Sequence, residues 1–163
     1  MIYKMQQKFF ALGHDFTIQD SYGLNVFEVD GAFLSLGNKL AFRDMAGNEL
    51  AHITQKLLAW GPTYEITRNG QLEAVVKEAL FTLFRHRFTV DVDGPNDLIA
   101  QGDFMDYEYT FTRNDRTVAT ISKQWFTIMD SYGVQVADGE DDVLILASSI
   151  VIDLVRDAAH SRG

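Results

Sequence analysis

Four histidines, one acidic run and one basic stretch are the side chains of this sequence whose types could do chemistry. His14, His52, His86 and His160 would be the metal ligands, but no two of them stand at the close spacing that zinc sites use. The chain has no cysteine. That excludes a disulfide framework, a thiolate metal site, an iron–sulfur cluster and a Cys nucleophile. Asp138-Gly139-Glu140-Asp141-Asp142 offers oxygen ligands for calcium. It lacks the ligand order, the sixth-place Gly and the closing Glu of an EF-hand loop. It reads instead as a solvated turn whose acids favour the start of a following helix. Asp20-Ser21 and Asp130-Ser131 place a hydroxyl beside a carboxylate, yet each stands next to a glycine (Gly23, Gly133) and reads as a turn. No G-x-S-x-G elbow, G-x-x-x-x-G-K-[ST] loop, H-E-x-x-H or G-x-G-x-x-G occurs. The sequence therefore offers no catalytic residue, no metal ligand and no cofactor, and the chain is expected not to be an enzyme.

Binding chemistry has one better candidate. In a strand, Arg85 and Arg87 of Arg85-His86-Arg87 would share one face and suit an anionic ligand, with Lys4 and Lys8 joining them in space. A cationic strand surface that blocks aggregation explains the same residues. Trp60, Trp125, Tyr107 and Tyr109 read as core or rim packing rather than as a ligand box. The net charge is -9, which repels phosphate backbones and argues against nucleic acid. It also argues against anionic membranes unless the basic residues gather in space. Residues Met1 to Lys8 carry no apolar h-region, Ile2 stands where a myristoylated chain has Gly, and no C-terminal Cys is present. A cytoplasmic location is the expectation.

The elements that must position these residues are mostly strands. The chain has 163 residues, which suits one domain over 1–163. Short β-branched and aromatic runs recur between Gly, Asn and Asp, the pattern of a sandwich or barrel. They are 16–20, 24–30, 40–44, 49–56, 63–67, 71–77, 80–84, 88–92, 98–104, 107–112, 117–123, 126–130 and 133–137. Asn69-Gly70 is the strongest hairpin mark, since a type I′ turn needs positive φ at both central residues. Phe88, Val90 and Val92, like Tyr107, Tyr109 and Phe111, alternate with polar residues, so one strand face is buried and one is wet.

The chain also repeats itself. Phe16-Thr17-Ile18-Gln19-Asp20-Ser21-Tyr22-Gly23 returns as Phe126-Thr127-Ile128-Met129-Asp130-Ser131-Tyr132-Gly133. A weaker, ungapped match aligns 50–66 with 118–134 and pairs Ala51 with Ala119, Ile53 with Ile121 and Tyr64 with Tyr132. A loose third likens 16–33 to 88–104. A shared strand–turn–strand grammar and a duplicated half-barrel of roughly 70 residues both account for them. The first two imply different offsets and cannot both mark one simple duplication.

Residues Val143 to Val155 break the pattern, being almost wholly apolar with no turn residue. Their length favours a helix over a strand. Glu140, Asp141 and Asp142 before it and Arg156 after it suit the two ends of a helix dipole. A helix of about 20 Å is too short for a hydrocarbon core of roughly 30 Å, and Asp153 would lie inside it. It is therefore expected to be buried in protein, as a central helix over about 140–157. About a dozen strands enclose a lumen too wide for their own side chains to fill, and a helix about 10 Å wide fits such a space. The expected fold is mainly β: a closed antiparallel barrel of about 12 strands around a hydrophobic C-terminal helix.

The ordered pieces Gln7-Lys8-Phe9-Phe10, Phe16-Thr17-Ile18 with its turn, Val29-Asp30-Gly31 and Arg43-Asp44-Met45-Ala46-Gly47-Asn48-Glu49-Leu50 carry a resemblance. It continues through Gln55-Lys56, Pro62-Thr63-Tyr64-Glu65-Ile66, Gly102-Asp103-Phe104, Ile121-Ser122-Lys123 and the apolar tail. Over nearly its whole length the chain resembles the LURP-one-related family, whose fold is the tubby C-terminal-like barrel around a hydrophobic helix. The resemblance implies a binding or scaffold domain with an unknown protein or lipid ligand. Analogy with tubby proteins suggests anionic lipid or phosphoinositide at a membrane surface. That warrant rests on fold alone and transfers no ligand-binding residue.

Overall fold

Twelve strands among the described residues close into one antiparallel ring. The computed structural model describes the backbone of residues 1–10, 13–34, 37–79, 86–126 and 131–163, and the side chains of these except residues 9, 10, 13, 14 and 32–34. The strands are β1 (Ile2–Phe10), β2 (Gly13–Gln19), β3 (Asn25–Leu34), β4 (Gly37–Asp44), β5 (Glu49–Gln55) and β6 (Thr63–Arg68). They continue as β7 (Gln71–Glu78), β8 (Arg87–Val92), β9 (Leu98–Asp103), β10 (Glu108–Arg113), β11 (Arg116–Ser122) and β12 (Ser131–Val136), followed by the helix α1 (Asp142–Arg162). Each strand pairs with its neighbours in sequence, and β1 pairs with β12 to shut the ring. Closure leaves no open edge among the described strands.

Alternation builds the inner wall. Ala51 and Ile53, Phe88 and Val90, and Tyr109 and Phe111 all point inward and are buried. The hairpin at Asn69 (φ 50) and Gly70 (φ 75) has both residues in the left-handed region, as a type I′ turn requires. The closing strand β1 is the element that alternation does not reveal. Its inward residues are Tyr3 and Met5, and Lys4, Gln6, Gln7 and Lys8 dilute the pattern. Hydrogen bonding from both sides, to β2 and to β12, holds it as a strand. The expected strand over 80–84 and most of the one over 126–130 fall outside the described residues.

The register repeats around the ring, strand n matching strand n+6. Met5 faces Ile18 as Val76 faces Val90. Phe16 faces Val29 as Phe88 faces Ala100. Gly31 faces Leu40 as Gly102 faces Tyr109. Leu40 faces Ile53 as Tyr109 faces Ile121, and both pairings slip just beyond, after Phe42 and after Phe111. Ile53 faces Ile66 as Ile121 faces Val134, and Tyr64 faces Val76 as Tyr132 faces Met5. The weaker sequence matches therefore follow the two half-barrels β1–β6 and β7–β12. Their offsets differ because the connections differ in length while the ladders do not.

The strongest sequence repeat does not follow the halves. Ser21-Tyr22-Gly23 is a turn, with Tyr22 88% exposed and Gly23 at φ +82. Asp20 Oδ1 accepts from the Tyr22 and Leu24 amides there. Ser131-Tyr132-Gly133 lies within β12, and Tyr132 is buried. The expected turn at Gly133 is thus corrected to strand. A Cβ at Gly133 would stand 2.5 Å from the Trp125 ring, so glycine serves close approach here rather than a turn. Asp130 lies outside the described residues.

The helix α1 runs through the ring. Asp141 caps it, accepting the Leu144 amide at 3.0 Å, and every residue from Leu144 to Val155 is buried. Wholly burying one Ile, Leu or Val side chain contributes about 1.5–3 kcal/mol, so this helix is a large share of the core. It extends beyond the expected end near residue 157, to Arg162. Ala158 and Ala159 favour helix, and His160 and Arg162 complement its negative end. The protein thus has the expected fold, a closed twelve-stranded barrel plugged by its own helix.

Candidate functional site

Because α1 occupies the lumen, concave surface has to be sought at the barrel ends. The two ends differ. Connections 20–24, 45–48, 69–70, 93–97, 114–115 and 137–141 surround the start of α1. They contain Asp20, Asp93, Asp97, Asp115, Asp138, Glu140 and Asp141, and no Lys or Arg. At this end the chain's own groups engage the acidic run. Glu140 pairs with Arg113, Asp141 pairs with Arg68 at 2.7 Å, and the Tyr3 hydroxyl donates to Asp142. Burial pushes the Asp141 carboxyl up, but the bonds from Arg68 and the Leu144 amide outweigh it and hold it below its ordinary value. The expectation of a merely solvated turn is corrected: these acids bolt the helix start to β6, β10 and β1.

The other end, where α1 leaves the ring, holds a groove of about 520 Å³. Phe88, Phe104, Met105, Ile152 and Val155 give it an apolar bed, and Glu78, His86, Asp103 and Arg156 give it a polar margin. Phe104 meets Phe88 edge-on at 5.0 Å and Tyr109 at 4.8 Å, which fixes the bed. His86 Nδ1 lies 3.0 Å from Glu78 Oε1.

Behind Arg156 lies a buried polar cluster. Asp153 Oδ1 accepts from the Tyr107 hydroxyl at 2.8 Å and from Arg156 Nη2 at 3.0 Å. The Arg156 guanidinium also lies over the Tyr107 ring, 4.0 Å from its centre, and pairs with Asp157. Tyr107 in turn stacks on Tyr132 at 4.5 Å. Burial pushes the Asp153 carboxyl up to about 7, against the pull of Arg156. Burial, reinforced by Asp153, raises the Tyr107, Tyr109 and Tyr132 hydroxyls well above the usual tyrosine range. Burial opposes the charge of Arg156, but Asp153, Tyr107 and Asp157 outweigh it, so Arg156 stays a cation.

The residues singled out from the sequence are scattered. The His14 side chain and Arg85 lie outside the described residues. His52 sits 3.6 Å from Glu49 on the half-exposed wall of β5, His86 borders the groove, and His160 is exposed near the end of α1. Among the described residues no three His, Cys, Asp or Glu are placed to hold a metal ion. Lys4 and Lys8 belong to β1, five strands round the ring from Arg87 on β8, so the structure does not bring them together. Tyr109 is core, as expected, but Trp60 is 94% exposed and Trp125 40% exposed. Packing at Trp60 is therefore corrected. Sequence reasoning missed the Asp153–Arg156 pair, although Asp three residues before Arg on one helix face is a legible signal. It also missed the groove, whose lining comes from four separate stretches of chain.

Comparison with known proteins agrees with this architecture. The protein YxjI of Bacillus subtilis (strain 168), described as uncharacterized, is 34% identical over 151 residues, covering 93% of this chain and 91% of its own. An X-ray structure of a protein from Arabidopsis thaliana superposes with a TM-score of 0.66 at 18% identity, over 98% of this chain and 91% of that one. It shows the same fold. The family model described as LURP-one-related matches residues 1–153. Sequence and fold together give one assignment: the chain belongs to the LURP-one-related family.

Proposed function

We propose that this protein is a non-catalytic binding domain, and that its ligand is an amphipathic molecule seated in the groove where α1 leaves the barrel. The observation that carries this reading is the groove itself. Its volume of about 520 Å³ falls in the range of small-molecule sites, which are apolar with a few polar groups. Phe88, Phe104, Ile152 and Val155 suit a hydrocarbon body, and Arg156 and His86 at the margin suit its polar head. A binding role also fits the titratable groups. The strongly shifted carboxyl, Asp153, is engaged with Tyr107 and Arg156 and is not part of the groove lining. Anionic lipid recognition by the particular patch of Lys4, Lys8 and Arg87 has less support, because Lys4 and Lys8 are remote from Arg87.

Titration with a dansyl-labelled undecanoate, followed by its fluorescence, tests the reading. Saturable binding displaced by dodecanol is expected. Ala159→Trp, which fills the groove from the exposed last turns of α1, should weaken binding at least tenfold (about 1.4 kcal/mol) while the melting temperature holds. Absence of saturable binding, or binding indifferent to Ala159→Trp, refutes the site.

A further inference from the structure

At the same end of the barrel, the β5–β6 connection presents large apolar side chains to solvent. Lys56 through Gly61 are all exposed, with Leu57 at 54%, Leu58 at 103% and Trp60 at 94%. The loop is not slack at its base. The Lys56 amide donates to the Thr63 carbonyl at 2.9 Å, the Thr63 hydroxyl donates to the Gly61 carbonyl at 3.2 Å, and Leu57 lies against Gly37 of β4. Two leucines and a tryptophan held out on a braced tip are a costly arrangement in water. Trp is the side chain that settles at the lipid–water boundary. Met105 (51% exposed) and Trp125 (40% exposed) stand in the β9–β10 and β11–β12 connections of the same end.

The charges point the same way. Lys56, half-exposed and paired with Glu65 at 3.2 Å, flanks the apolar tip, and Lys123 flanks Trp125. The seven acids of the opposite connections lie at the far end of the barrel. A chain of net charge -9 would be repelled by an anionic surface if its acids were spread evenly. Segregated in this way, they lower the repulsion at the tip's end, where among the described residues Asp103 and Asp106 flank Met105 and Asp157 pairs with Arg156.

We infer that this end docks on a lipid bilayer, with Leu57, Leu58 and Trp60 entering the interface and Lys56 and Lys123 meeting anionic headgroups. The inference does not depend on a ligand in the groove, although docking would bring the groove to the source of an amphipath.

Flotation of the full chain with vesicles of phosphatidylcholine, with and without phosphatidylglycerol, tests it. The chain is expected to float with the vesicles, and more strongly with phosphatidylglycerol present. In a Trp125→Phe background, Trp60 emission should shift to the blue and be quenched by brominated lipid. The pair Leu58→Ser and Trp60→Ser should cut the bound fraction at least tenfold with no change in melting temperature, since both side chains are free of the core. Ala159→Trp should float like the natural chain, so failure of the groove and failure of the tip are told apart. No flotation, or flotation unchanged in the paired variant, overturns the inference. So does a dimer of the natural chain in solution that the paired variant abolishes, because a second copy would then cover the tip.

Discussion

Replacing Asp153 with Asn should make the protein more stable at neutral pH, by an amount that grows with pH. Asn is isosteric, and its amide oxygen can still accept from Tyr107 and Arg156 as Asp153 Oδ1 does. Arg156 also keeps Asp157 at 3.1 Å. What changes is the proton. Burial raises the folded-state value of Asp153 from 3.8 to about 7, so between those limits the folded chain holds a proton that the unfolded chain has released. Stability therefore falls as pH rises through that window, and the fall ends above the folded value. Three pH units correspond to an upper limit of about 4 kcal/mol. Between about pH 5 and about pH 8 the advantage of Asp153→Asn over the natural chain should widen by about 3 kcal/mol. Urea unfolding followed by far-ultraviolet circular dichroism across that range measures it. A difference that stays constant with pH, or that narrows, refutes the buried-carboxyl reasoning.

Ile150→Asp places an unpaired carboxylate at a position with no exposed surface. It should cost several kcal/mol, seen as a large drop in melting temperature; an unchanged melt would mean that α1 does not fill the lumen. Gly133→Ala drives a methyl into the Trp125 ring at 2.5 Å. In a Trp60→Phe background it should shift Trp125 fluorescence and cost about 1–3 kcal/mol. Asp141→Ala removes the N-cap of α1 and one partner of Arg68. It should destabilise by about 0.5–2 kcal/mol, measurable by thermal melting, and no loss would show that the cap is idle.

The barrel and its helix were legible because two physical patterns are local. Period-two alternation is printed in β8 and β10, and a 13-residue apolar run bracketed by Glu140 to Asp142 and Arg156 has few other homes. β1 was not legible, because its strand character comes from partners far away in sequence rather than from its own residues. The repeated octapeptide misled for the converse reason. Local sequence alone does not decide whether Ser-Tyr-Gly turns: an Asx bond from Asp20 makes the first copy turn, and pairing of β12 with both β1 and β11 makes the second extend. The weaker repeats proved informative because Ala51 with Ala119 and Ile53 with Ile121 mark inward positions, which the ladders conserve. The groove was invisible because its walls meet only when the barrel ends are assembled. Trp60 shows the limit of composition, since a tryptophan's preference for burial gives way where a braced loop carries it outward.

The placement of α1 at the end of the strand order has a consequence for the time course of synthesis. When β12 leaves the ribosome, all twelve strands exist, yet the inward faces of Ile53, Phe111 and Val134 still have nothing to pack on. The segment that dries the lumen is translated after every wall that encloses it. A ring closed too early would have to reopen to admit the helix, so final closure between β1 and β12 must wait for, or yield to, α1. Any nascent chain halted before α1 would carry a wet interior, and it should be an open, protease-sensitive target rather than a smaller version of the same protein.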